Sequence, residues 1–314
     1  MGKIRIGTRE SQLAIWQANQ VKELLAEQGA ESELVFIKSD GDVDLVTPLY
    51  DIGVQGIFTR SLDAALLSNK IDIAVHSMKD VPVQLAKGIR QAAVLKRGSH
   101  KDIFVPHPDV SDANKTPGKK ESDESGHAVV ATSSIRRIAQ WLNKYPNDKI
   151  ENLRGNVNTR LKKLKESNWN GAVFAAAGLE RIGLRPENAI DLDWMLPAPA
   201  QGAIMIVCRE DDEKTFEFCH LLNYGETALC TKIERDFLAA LMGGCSTPIS
   251  ALAEIKNEIV HFKGNVLSPD GRQISECYMT DTLENANDTG LKAAKIIFEK
   301  GGQMILDKMK NATK

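Results

Sequence analysis

The chain has 314 residues, with 40 lysine and arginine residues against 42 acidic ones, and its formal net charge at pH 7 is −2. This balance argues against a general nucleic-acid binder or a membrane-surface protein, and no apolar run reaches the length of a membrane span. The length allows two or three ordinary domains. The first residues, "MGKIRIGTRE", contain no apolar signal core, so we expect a cytoplasmic protein.

The first part of the chain alternates between strand-like and helix-like patterns. The stretches "KIRIGT" and "ELVFIK" predict strands, with an amphipathic helix between them. The stretch "FTRSLDAALLSN" predicts a second helix, which leads into the strand "IDIAVHS". Such alternation predicts a mostly parallel sheet with helices on its faces.

A polar segment at 106–127 predicts a surface loop, after which the alternation resumes. The stretches "AVVAT" and "GAVFAAA" predict strands, and "SSIRRIAQWLNK" and "NVNTRLKKLKES" predict helices. A proline-broken stretch, "MLPAPAQGA", leads to a strand at 203–208 that we expect to return to the first sheet. The sequence thus predicts two similar α/β domains, the first formed by 1–98 and 203–222 and the second by 99–202.

The last part of the chain has a different pattern. Apolar residues recur every four positions from Leu229 to Leu241, which predicts one helix. Strand-like segments at 249–255, 258–267 and 272–280 precede a final helix at about 287–300. Strands grouped between helices predict a separate small α+β domain at 223–314.

The cysteines and histidines give no sign of a disulfide framework or a metal site. Five cysteines are an odd number without a C-x-x-C pair, and the six histidines are scattered. Cys208, Cys219, Cys230 and Cys277 fit small buried thiols. Cys245, in "LMGGCSTPIS", follows two glycines in a turn, and from this pattern alone a quiet loop thiol and a functional one are equally good interpretations.

Four stretches place polar side chains at strand ends or helix starts: "GTRES", "AVHSMKDVP", "ATSSIRR" and "NLRGNVNTR". Open α/β sheets bind ligands outside the carboxyl ends of their strands, and helix N-termini and arginine favour anions. Each stretch alone also has an ordinary explanation, such as a helix N-cap, a solvated arginine face or a turn ion pair between Lys79 and Asp80. Their repetition predicts a ligand with several anionic groups.

Six motifs follow one another along the chain: "RESQLAIWQA", "DIAVHSMKDVP", "TSSIRR", "LRGNVNTRL", "PAPAQGA" and "GGCSTPI". In this order they resemble the porphobilinogen deaminase family, also called hydroxymethylbilane synthase, over nearly the whole chain. The resemblance implies two periplasmic-binding-protein-like α/β domains around a cleft, plus the small C-terminal α+β domain that carries the cysteine.

The resemblance also implies the chemistry, which is that of a transferase of tetrapyrrole and heme biosynthesis. The cysteine of the family's glycine turn, here Cys245, carries a covalent dipyrromethane cofactor through a thioether bond. Four porphobilinogen molecules are added head to tail to this primer, each with loss of ammonia, and hydrolysis releases hydroxymethylbilane. The family works as a cytoplasmic monomer, with porphobilinogen as its partner and no nucleic acid, membrane or metal.

Individual roles are carried over by position. Asp80 corresponds to the catalytic aspartate, which stabilises the cation left when ammonia departs. Cofactor-binding positions correspond to Ser77, Lys79, Thr132, Ser133, Ser134, Arg136, Arg137 and Gly155. Positions that bind substrate or the growing chain correspond to Arg9, Ser11, Gln17, Phe58, Arg154, Arg160, Arg181 and Gln201.

One region departs from the family pattern, which often reads G-x-K-x-x-F-x-K-E near the cleft. Here Gln55 and Arg60 replace the two lysines and Ser61 replaces the acid, while Phe58 is kept. The polar segment at 106–127 is longer and more charged than the family pattern and receives no function.

Two other classes share some of these features. A non-catalytic anion-binding protein of the periplasmic-binding type would have the same sheets and arginines, but the missing signal peptide, the third domain and Cys245 argue against it. A cysteine-dependent hydrolase or acyltransferase needs a histidine base, and no histidine lies in a recognisable partner motif. The mass of the purified protein separates these classes, because only bound dipyrromethane adds two pyrrole units.

Overall fold

The computed structural model describes residues 2–38, 59–109, 127–241 and 247–312. Phe58, Gln55 and Cys245 lie outside the described residues, as does most of the polar 106–127 segment. Arg60 and Ser61 lie inside them and form the first turn of a helix.

Strands and helices alternate through the first two thirds of the chain. The described strands are β1 (Ile4–Thr8), β2 (Ser32–Phe36), β3 (Ile73–Ser77), β4 (Ile89–Val94), β5 (Asp102–Pro106), β6 (Val129–Ala131), β7 (Lys149–Glu151), β8 (Gly171–Ala175), β9 (Ile190–Asp191), β10 (Ile204–Arg209), β11 (Ile249–Lys256), β12 (Ile259–Leu267) and β13 (Ile274–Thr282). The described helices are α1 (Gln12–Glu27), α2 (Arg60–Leu67), α3 (Ile135–Lys144), α4 (Val157–Lys165), α5 (Ala176–Glu180), α6 (Glu213–His220), α7 (Gly225–Ala240), α8 (Thr289–Glu299) and α9 (Gly302–Ala312).

Two five-stranded sheets share one topology. The first has the order β2-β1-β3-β10-β4 and the second the order β7-β6-β8-β5-β9. In each, the first three strands are parallel and the fourth runs antiparallel to both of its neighbours. The antiparallel strand of each sheet lies directly after a point where the chain crosses between the sheets. Strand β5 is the first strand after the crossing into the second sheet, and β10 is the strand formed when the chain returns to the first. We call the parts built on these sheets the first and second lobes.

The central strands of the first sheet, β3 and β10, are almost continuously apolar and are buried on both faces. Ile73 and Val75 face the core formed with α1 and α6, whereas Ala74 between them faces the core formed with α2. This alternation is the two-residue period of a strand. The covered faces leave only the strand ends open to a ligand.

The C-terminal part is a three-stranded antiparallel sheet, β11-β12-β13, packed against α7, α8 and α9. Its core contains the Phe237 and Phe262 rings, whose centroids are 5.1 Å apart. The predicted fold class, two α/β domains around a cleft plus a small α+β domain, is confirmed in this layout, as is the return of the late strand to the first sheet. The exact domain boundaries stay a prediction.

Some elements differ from the sequence prediction. The predicted final helix at about 287–300 corresponds to α8, but a further helix, α9, follows it and was not predicted; Gly301 between them adopts φ +87°, in the left-handed region that ends a helix. Strands β4, β5, β7 and β9 were not predicted individually; β7 and β9 have three and two residues, too few to show a period. None of the helices among the described residues is long and apolar enough to cross a membrane.

Two crossing segments join the lobes and run side by side. One lies between β4 and β5, and the other between β9 and β10. The Gly98 amide donates to the Gly202 carbonyl at 3.0 Å, and Arg97 Nε donates to the Gln201 carbonyl at 2.8 Å. Gly202 has φ +88°, and a Cβ there would lie 2.5 Å from the Ser99 carbonyl oxygen, so glycine permits this close approach.

The C-terminal part is attached to these crossing segments by a buried glutamate of α7. Glu234 accepts hydrogen bonds from the Arg97 guanidinium at 2.6 and 3.1 Å and from the Ala200 and Ala253 amides at 2.6 and 2.8 Å. Ala200 has φ +61°, a conformation that costs energy for a residue with a Cβ. The bond from its amide to Glu234 helps to hold that conformation.

Candidate active site

A cleft of about 310 Å³ lies between the two lobes, at the carboxyl ends of their parallel strands. It has the size and position expected of a small-molecule site in an open α/β protein. Most of the residues predicted from the sequence line it: Arg9, Ser11, Gln17, Ser77, Lys79, Asp80, Ser133, Ser134, Arg136, Arg137, Arg154, Gly155, Arg160 and Gln201.

The first lobe presents Asp80 to the cleft. Strand β3 ends at Ser77, whose hydroxyl accepts a hydrogen bond from Gln17 of α1 at 2.9 Å. A single 3₁₀ turn, Met78–Asp80, follows, and the buried Met78 side chain anchors it. The Asp80 carboxylate is half-buried, and none of the described residues donates a hydrogen bond to it. It is therefore an available acceptor facing the ligand space.

Lys79 does not pair with Asp80, as the turn ion pair considered in the sequence analysis would require; it bonds to Gln201 instead. Its ammonium donates to Gln201 Oε1 at 3.2 Å, and between Lys79 and Asp80, both of them described, there is no ion pair. Burial, with the nearby Arg137, lowers the pKa of Lys79 to about 8, although Asp80 and Asp102 oppose the shift. The turn ion pair is thus not what keeps Asp80 in place.

The second lobe presents two buried arginines from the first turn of α3. Arg136 and Arg137 are each only 4% exposed, so the solvated-face interpretation is wrong. Arg136 Nη1 donates to Asp102 Oδ2 at 2.7 Å, and Arg137 donates to Asp102 Oδ1 from Nε at 3.0 Å and from Nη2 at 2.7 Å. One carboxylate thus binds two guanidinium groups.

Asp102 is a residue that the sequence analysis missed. It is fully buried at the start of β5, where burial alone would raise the pKa of its carboxyl group. The charges of Arg136 and Arg137 outweigh burial and hold that pKa well below its usual range. The available signal was an acid opening the apolar run "DIFVP", because a carboxylate at a buried position needs a charged partner.

Gln201 links the two lobes through this cluster. Its amide nitrogen donates to Asp102 Oδ1 at 3.0 Å and to the His100 carbonyl at 2.8 Å, while its amide oxygen accepts from Lys79. A chain of hydrogen bonds therefore runs from Lys79 in the first lobe to the arginines of the second. It passes through one of the crossing segments.

Positive charge is in excess around the cleft. Burial, again the largest cause, lowers the pKa of Arg160 to about 10, with a further contribution from Arg137. Burial and Arg136 also lower the pKa of Arg137, against the opposing effect of Asp102. Each of these guanidinium groups stays charged at neutral pH but is poorly solvated, so an incoming carboxylate gains charge-assisted hydrogen bonds.

The three helix starts at the cleft are built differently. Ser11 caps α1 by accepting from the Ala14 amide at 3.4 Å, and Asn156 caps α4 by accepting from the Thr159 amide at 2.9 Å. Ser134 occupies the N-cap position of α3, but its side chain makes no capping bond. Its half-buried hydroxyl is therefore available to a ligand.

Other predicted residues serve their own lobe or lie off the cleft. The Ser133 hydroxyl donates to Asn152 Oδ1 at 2.6 Å, and Thr132, buried and away from the cleft, accepts from the Ser134 amide at 3.3 Å. Arg181 also lies off the cleft: it donates to the Gly202 carbonyl at 2.6 Å, and burial lowers its pKa to about 10. Nothing is described for Phe58 or Cys245.

The cleft also contains residues that were not predicted, among them His76, Thr59, Asn158, Leu238 and Thr247. His76 is buried on β3, and burial, together with Arg9, lowers its pKa to about 4, so its imidazole is neutral at pH 7. Its place in "AVHSMKDVP" was the available signal. Leu238 and Thr247 come from the C-terminal part, which shows that three parts of the chain reach the cleft.

The donor set suits an organic anion better than a metal ion. Among the described residues, no group of three or more histidine, cysteine or acidic side chains is placed to hold a metal. The Nε atom of Arg136, beside the cleft, is buried without a hydrogen-bond partner in the described part of the chain. The fold and the cleft thus define a two-lobed α/β protein that binds a polyanionic small molecule between its lobes.

Comparisons with known proteins agree with this class. The family model described as "Porphobilinogen deaminase, dipyromethane cofactor binding domain" matches residues 4–217, and "Porphobilinogen deaminase, C-terminal domain" matches residues 228–299. The porphobilinogen deaminase of Pelotomaculum thermopropionicum is 40% identical over 308 residues, which cover 97% of this chain and 96% of that protein. The chloroplastic porphobilinogen deaminase of Oryza sativa subsp. japonica is 43% identical over 287 residues, or 88% and 77% of the two chains.

A search of solved structures finds the methionine-binding protein MetQ. The match covers 70% of this chain and 89% of that one, with 14% identity and a TM-score of 0.42, and it is too remote to bear on function.

The chain belongs to the porphobilinogen deaminase family. It is therefore a transferase, a hydroxymethylbilane synthase, with a dipyrromethane cofactor, and the non-catalytic alternative is not favoured.

The residues of the cleft fit that cofactor. Each pyrrole unit carries an acetate and a propionate, so two linked units present several carboxylates. Lys79, Arg136 and Arg137 place cationic donors around the cleft, and the uncapped Ser134 adds a hydroxyl. The buried, unbonded Nε of Arg136 is a further donor that a carboxylate can use.

Proposed function

We propose that this cleft joins four porphobilinogen molecules on a primer attached to Cys245, with Asp80 as the catalytic carboxylate. The observation that supports this most strongly is the placement of Asp80. Its unbonded carboxylate faces cationic side chains from both lobes, and its charge affects the pKa values of Lys79, Arg137 and Arg160. A carboxylate in such a position acts on positive charge that develops on a bound substrate.

The cations of the cleft bind and orient the substrate. Arg9 of the first lobe and Arg154 and Arg160 of the second line the cleft, and their planar guanidinium groups would pair with the two carboxylates of incoming porphobilinogen. Arg136, Arg137 and Lys79 hold the carboxylates of the primer. The helix starts at Ser11 and Ser134 add hydroxyl donors.

Asp80 acts when ammonia leaves the aminomethyl group of the substrate. The departing nitrogen takes the electrons of the carbon–nitrogen bond, and the positive charge left on the substrate is stabilised by the adjacent carboxylate. Asp80 also accepts hydrogen bonds from pyrrole N–H groups and so orients the ring. When bound, the dipyrromethane would supply the nucleophilic pyrrole carbon, which would form the new carbon–carbon bond and lose its proton to solvent, restoring the aromatic ring.

Two neighbouring observations support attachment at Cys245. Leu238 on α7, seven residues before Cys245, lines the cleft, and so does Thr247, two residues after it. The four described cysteines are all buried, and burial raises the pKa of each thiol, which makes them poor nucleophiles.

We also propose that the enzyme works as a cytoplasmic monomer, without nucleic acid as a partner. The domain division 1–98 with 203–222, 99–202 and 223–314 belongs to this proposal. It is supported by the membership of the three sheets.

Intact-mass spectrometry and an activity assay test the attachment. Purified protein is expected to carry the mass of two pyrrole units and to convert porphobilinogen to hydroxymethylbilane with release of ammonia. Cys245→Ser is expected to have the bare polypeptide mass and little activity. The matched control is Cys277→Ser, a buried thiol of the C-terminal sheet, which is expected to keep both mass and activity.

Two outcomes decide against the proposal. Fully active protein with the bare polypeptide mass would exclude a covalent primer. A Cys245→Ser protein that still carries the added mass would place the attachment at another residue.

A further inference from the structure

We propose that Arg235 of α7 is a positioning residue for Asp80. Its guanidinium donates to three successive carbonyls directly after Asp80: Val81 at 2.9 Å, Pro82 at 2.6 Å and Val83 at 3.2 Å. These contacts join the C-terminal part to the turn that carries the carboxylate. The inference rests on the catalytic role proposed above for Asp80.

On the far side of the turn the Val81 side chain is buried in the core, but among the described residues the hydrogen bonds to the backbone carbonyls come from Arg235. On the near side, the Met78 amide donates to the Ala203 carbonyl at 3.0 Å, and the Val81 amide closes the 3₁₀ turn on Met78 at 3.1 Å. Beyond Asp80, no backbone amide among the described residues donates to the carbonyls of Val81, Pro82 or Val83. Arg235 therefore supplies the donors that fix the chain as it leaves Asp80.

The geometry requires arginine. Three carbonyls are bound by one planar group whose several N–H donors have fixed directions, which a lysine ammonium cannot reproduce. With both sides of the turn fixed, the Asp80 carboxylate needs no hydrogen bond of its own to stay in place. It can thus remain an open acceptor and still be oriented.

The competing explanation is that Arg235 only attaches α7 to the first lobe and has no effect on the orientation of Asp80. The neighbouring Glu234 already fastens α7 to the crossing segments through three hydrogen bonds, two from Arg97 and one from the Ala200 amide. Arg235 contacts the catalytic turn instead, and Leu238, one helical turn further along the same face, lines the cleft. If Arg235 only attaches α7, its loss lowers thermal stability alone, whereas if it also positions Asp80, its loss lowers kcat as well.

The chain offers a matched control at the opposite end of β3. Arg209 also binds backbone carbonyls, with Nη1 at 2.7 Å from the Ile71 oxygen, and also pairs with Asp212 at 2.7 Å. Arg209→Met therefore removes a similar arginine clamp from the same lobe without touching the Asp80 turn. It is expected to lower the melting temperature and leave kcat unchanged.

The test compares Arg235→Met, Arg235→Lys, Arg209→Met, Asp80→Asn and the double variant Asp80→Asn with Arg235→Met. Primer content is measured first by intact mass, and then melting temperature, kcat and KM are measured with porphobilinogen. Primer-loaded Arg235→Met is expected to lose on the order of 10- to 100-fold in kcat with KM nearly unchanged. Arg235→Lys is expected to recover part of kcat, and the double variant to be no slower than Asp80→Asn.

Each failure has its own signature. Wild-type kcat in Arg235→Met, or a double variant slower than Asp80→Asn by the full Arg235 effect, overturns the positioning role while Asp80 keeps its own. If Asp80→Asn itself keeps wild-type turnover, the proposed function of Asp80 fails and the inference with it. If Arg235→Met does not fold or load primer, Arg235→Lys decides: wild-type kcat in that variant also overturns the inference.

Discussion

The two lobes each contain a carboxylate near the cleft, and the two carboxylates are in opposite situations. Asp102 in the second lobe is fully buried and accepts hydrogen bonds from Arg136, Arg137 and Gln201. Asp80 in the first lobe is half-buried and accepts none from the described residues. The protein itself supplies the hydrogen-bond donors for Asp102, whereas the Asp80 oxygens remain available to a ligand.

This difference separates two tasks that one sheet topology performs. In the second lobe, Asp102 compensates one of the two arginine charges and fixes both planes, so the remaining donors are oriented before a ligand arrives. In the first lobe, the chain holds Asp80 through its backbone instead. Preorganised cations bind ground-state carboxylates, whereas an unbonded carboxylate can respond to charge that develops during reaction.

Neutralising each aspartate in turn gives the largest effects and tests the comparison directly. Asp102→Asn leaves two buried guanidinium groups without their counter-charge, and breaking a buried ion pair typically costs about 3–5 kcal/mol of unfolding free energy. Asp80→Asn removes no described contact, so its unfolding free energy should change little. Its turnover should fall on the order of 100- to 1000-fold with little change in KM, because a preorganised electrostatic group is lost.

Urea unfolding and steady-state kinetics on primer-checked protein measure both variants. Asp102→Glu, which keeps the charge, is the control and should recover part of the lost stability. The comparison fails if Asp80→Asn is destabilised as strongly as Asp102→Asn, or if Asp80→Asn retains turnover.

Lys79 gives an intermediate effect because it stands between the two carboxylates. Burial and Arg137 lower its pKa to about 8, while Asp80 and Asp102 oppose the shift. A primer carboxylate prefers the charged ammonium, so the binding that leads to primer loading should weaken as pH rises through about 8, by up to about tenfold per pH unit for one ionisation. The lysine pKa in the unfolded chain is near its ordinary value of 10.5, so the unfolded chain binds more protons between about pH 8 and 10.5, and the contribution of Lys79 to the unfolding free energy rises across that window.

The pH dependence of primer loading in wild type and Lys79→Gln, followed by intact mass after primer-free protein is incubated with porphobilinogen, measures this contribution. The variant should load less primer at neutral pH and should lack the decline above pH 8. The control is Lys101→Gln, whose ammonium pairs with Asp191 and Asp193 away from the cleft. An unchanged decline in Lys79→Gln would assign the ionisation to another group.

How much the sequence predicts differs between the two lobes. The helix and strand pattern predicts β1, β2, β3 and β10 of the first sheet but only β6 and β8 of the second, and the motif residues around Asp80 and Arg136 do reach one cleft. Asp102 escaped prediction because its partners are 34 and 35 positions away and meet it only when the strands pair. Arg235 escaped for the same reason, since 152 to 154 positions separate it from its carbonyl partners. Periodicity reports which face is buried but not which distant charges meet there.

The smallest expected effect concerns the two serines at helix starts, and it sharpens the comparison. Ser11 in the first lobe caps α1, whereas Ser134 in the second lobe makes no capping bond with its side chain. Ser11→Ala should therefore cost about 1 kcal/mol of unfolding free energy, the usual value for a lost N-cap, although its 3.4 Å bond is long. Ser134→Ala should leave unfolding unchanged and instead lower the share of chains that carry the primer, because its hydroxyl is free for a carboxylate. Urea unfolding and intact mass measure the pair, with Ser68→Ala at the end of α2 as a control for both. Equal stability losses in Ser11→Ala and Ser134→Ala, with full primer loading, would mean that the second lobe uses its helix start for folding and not for the ligand.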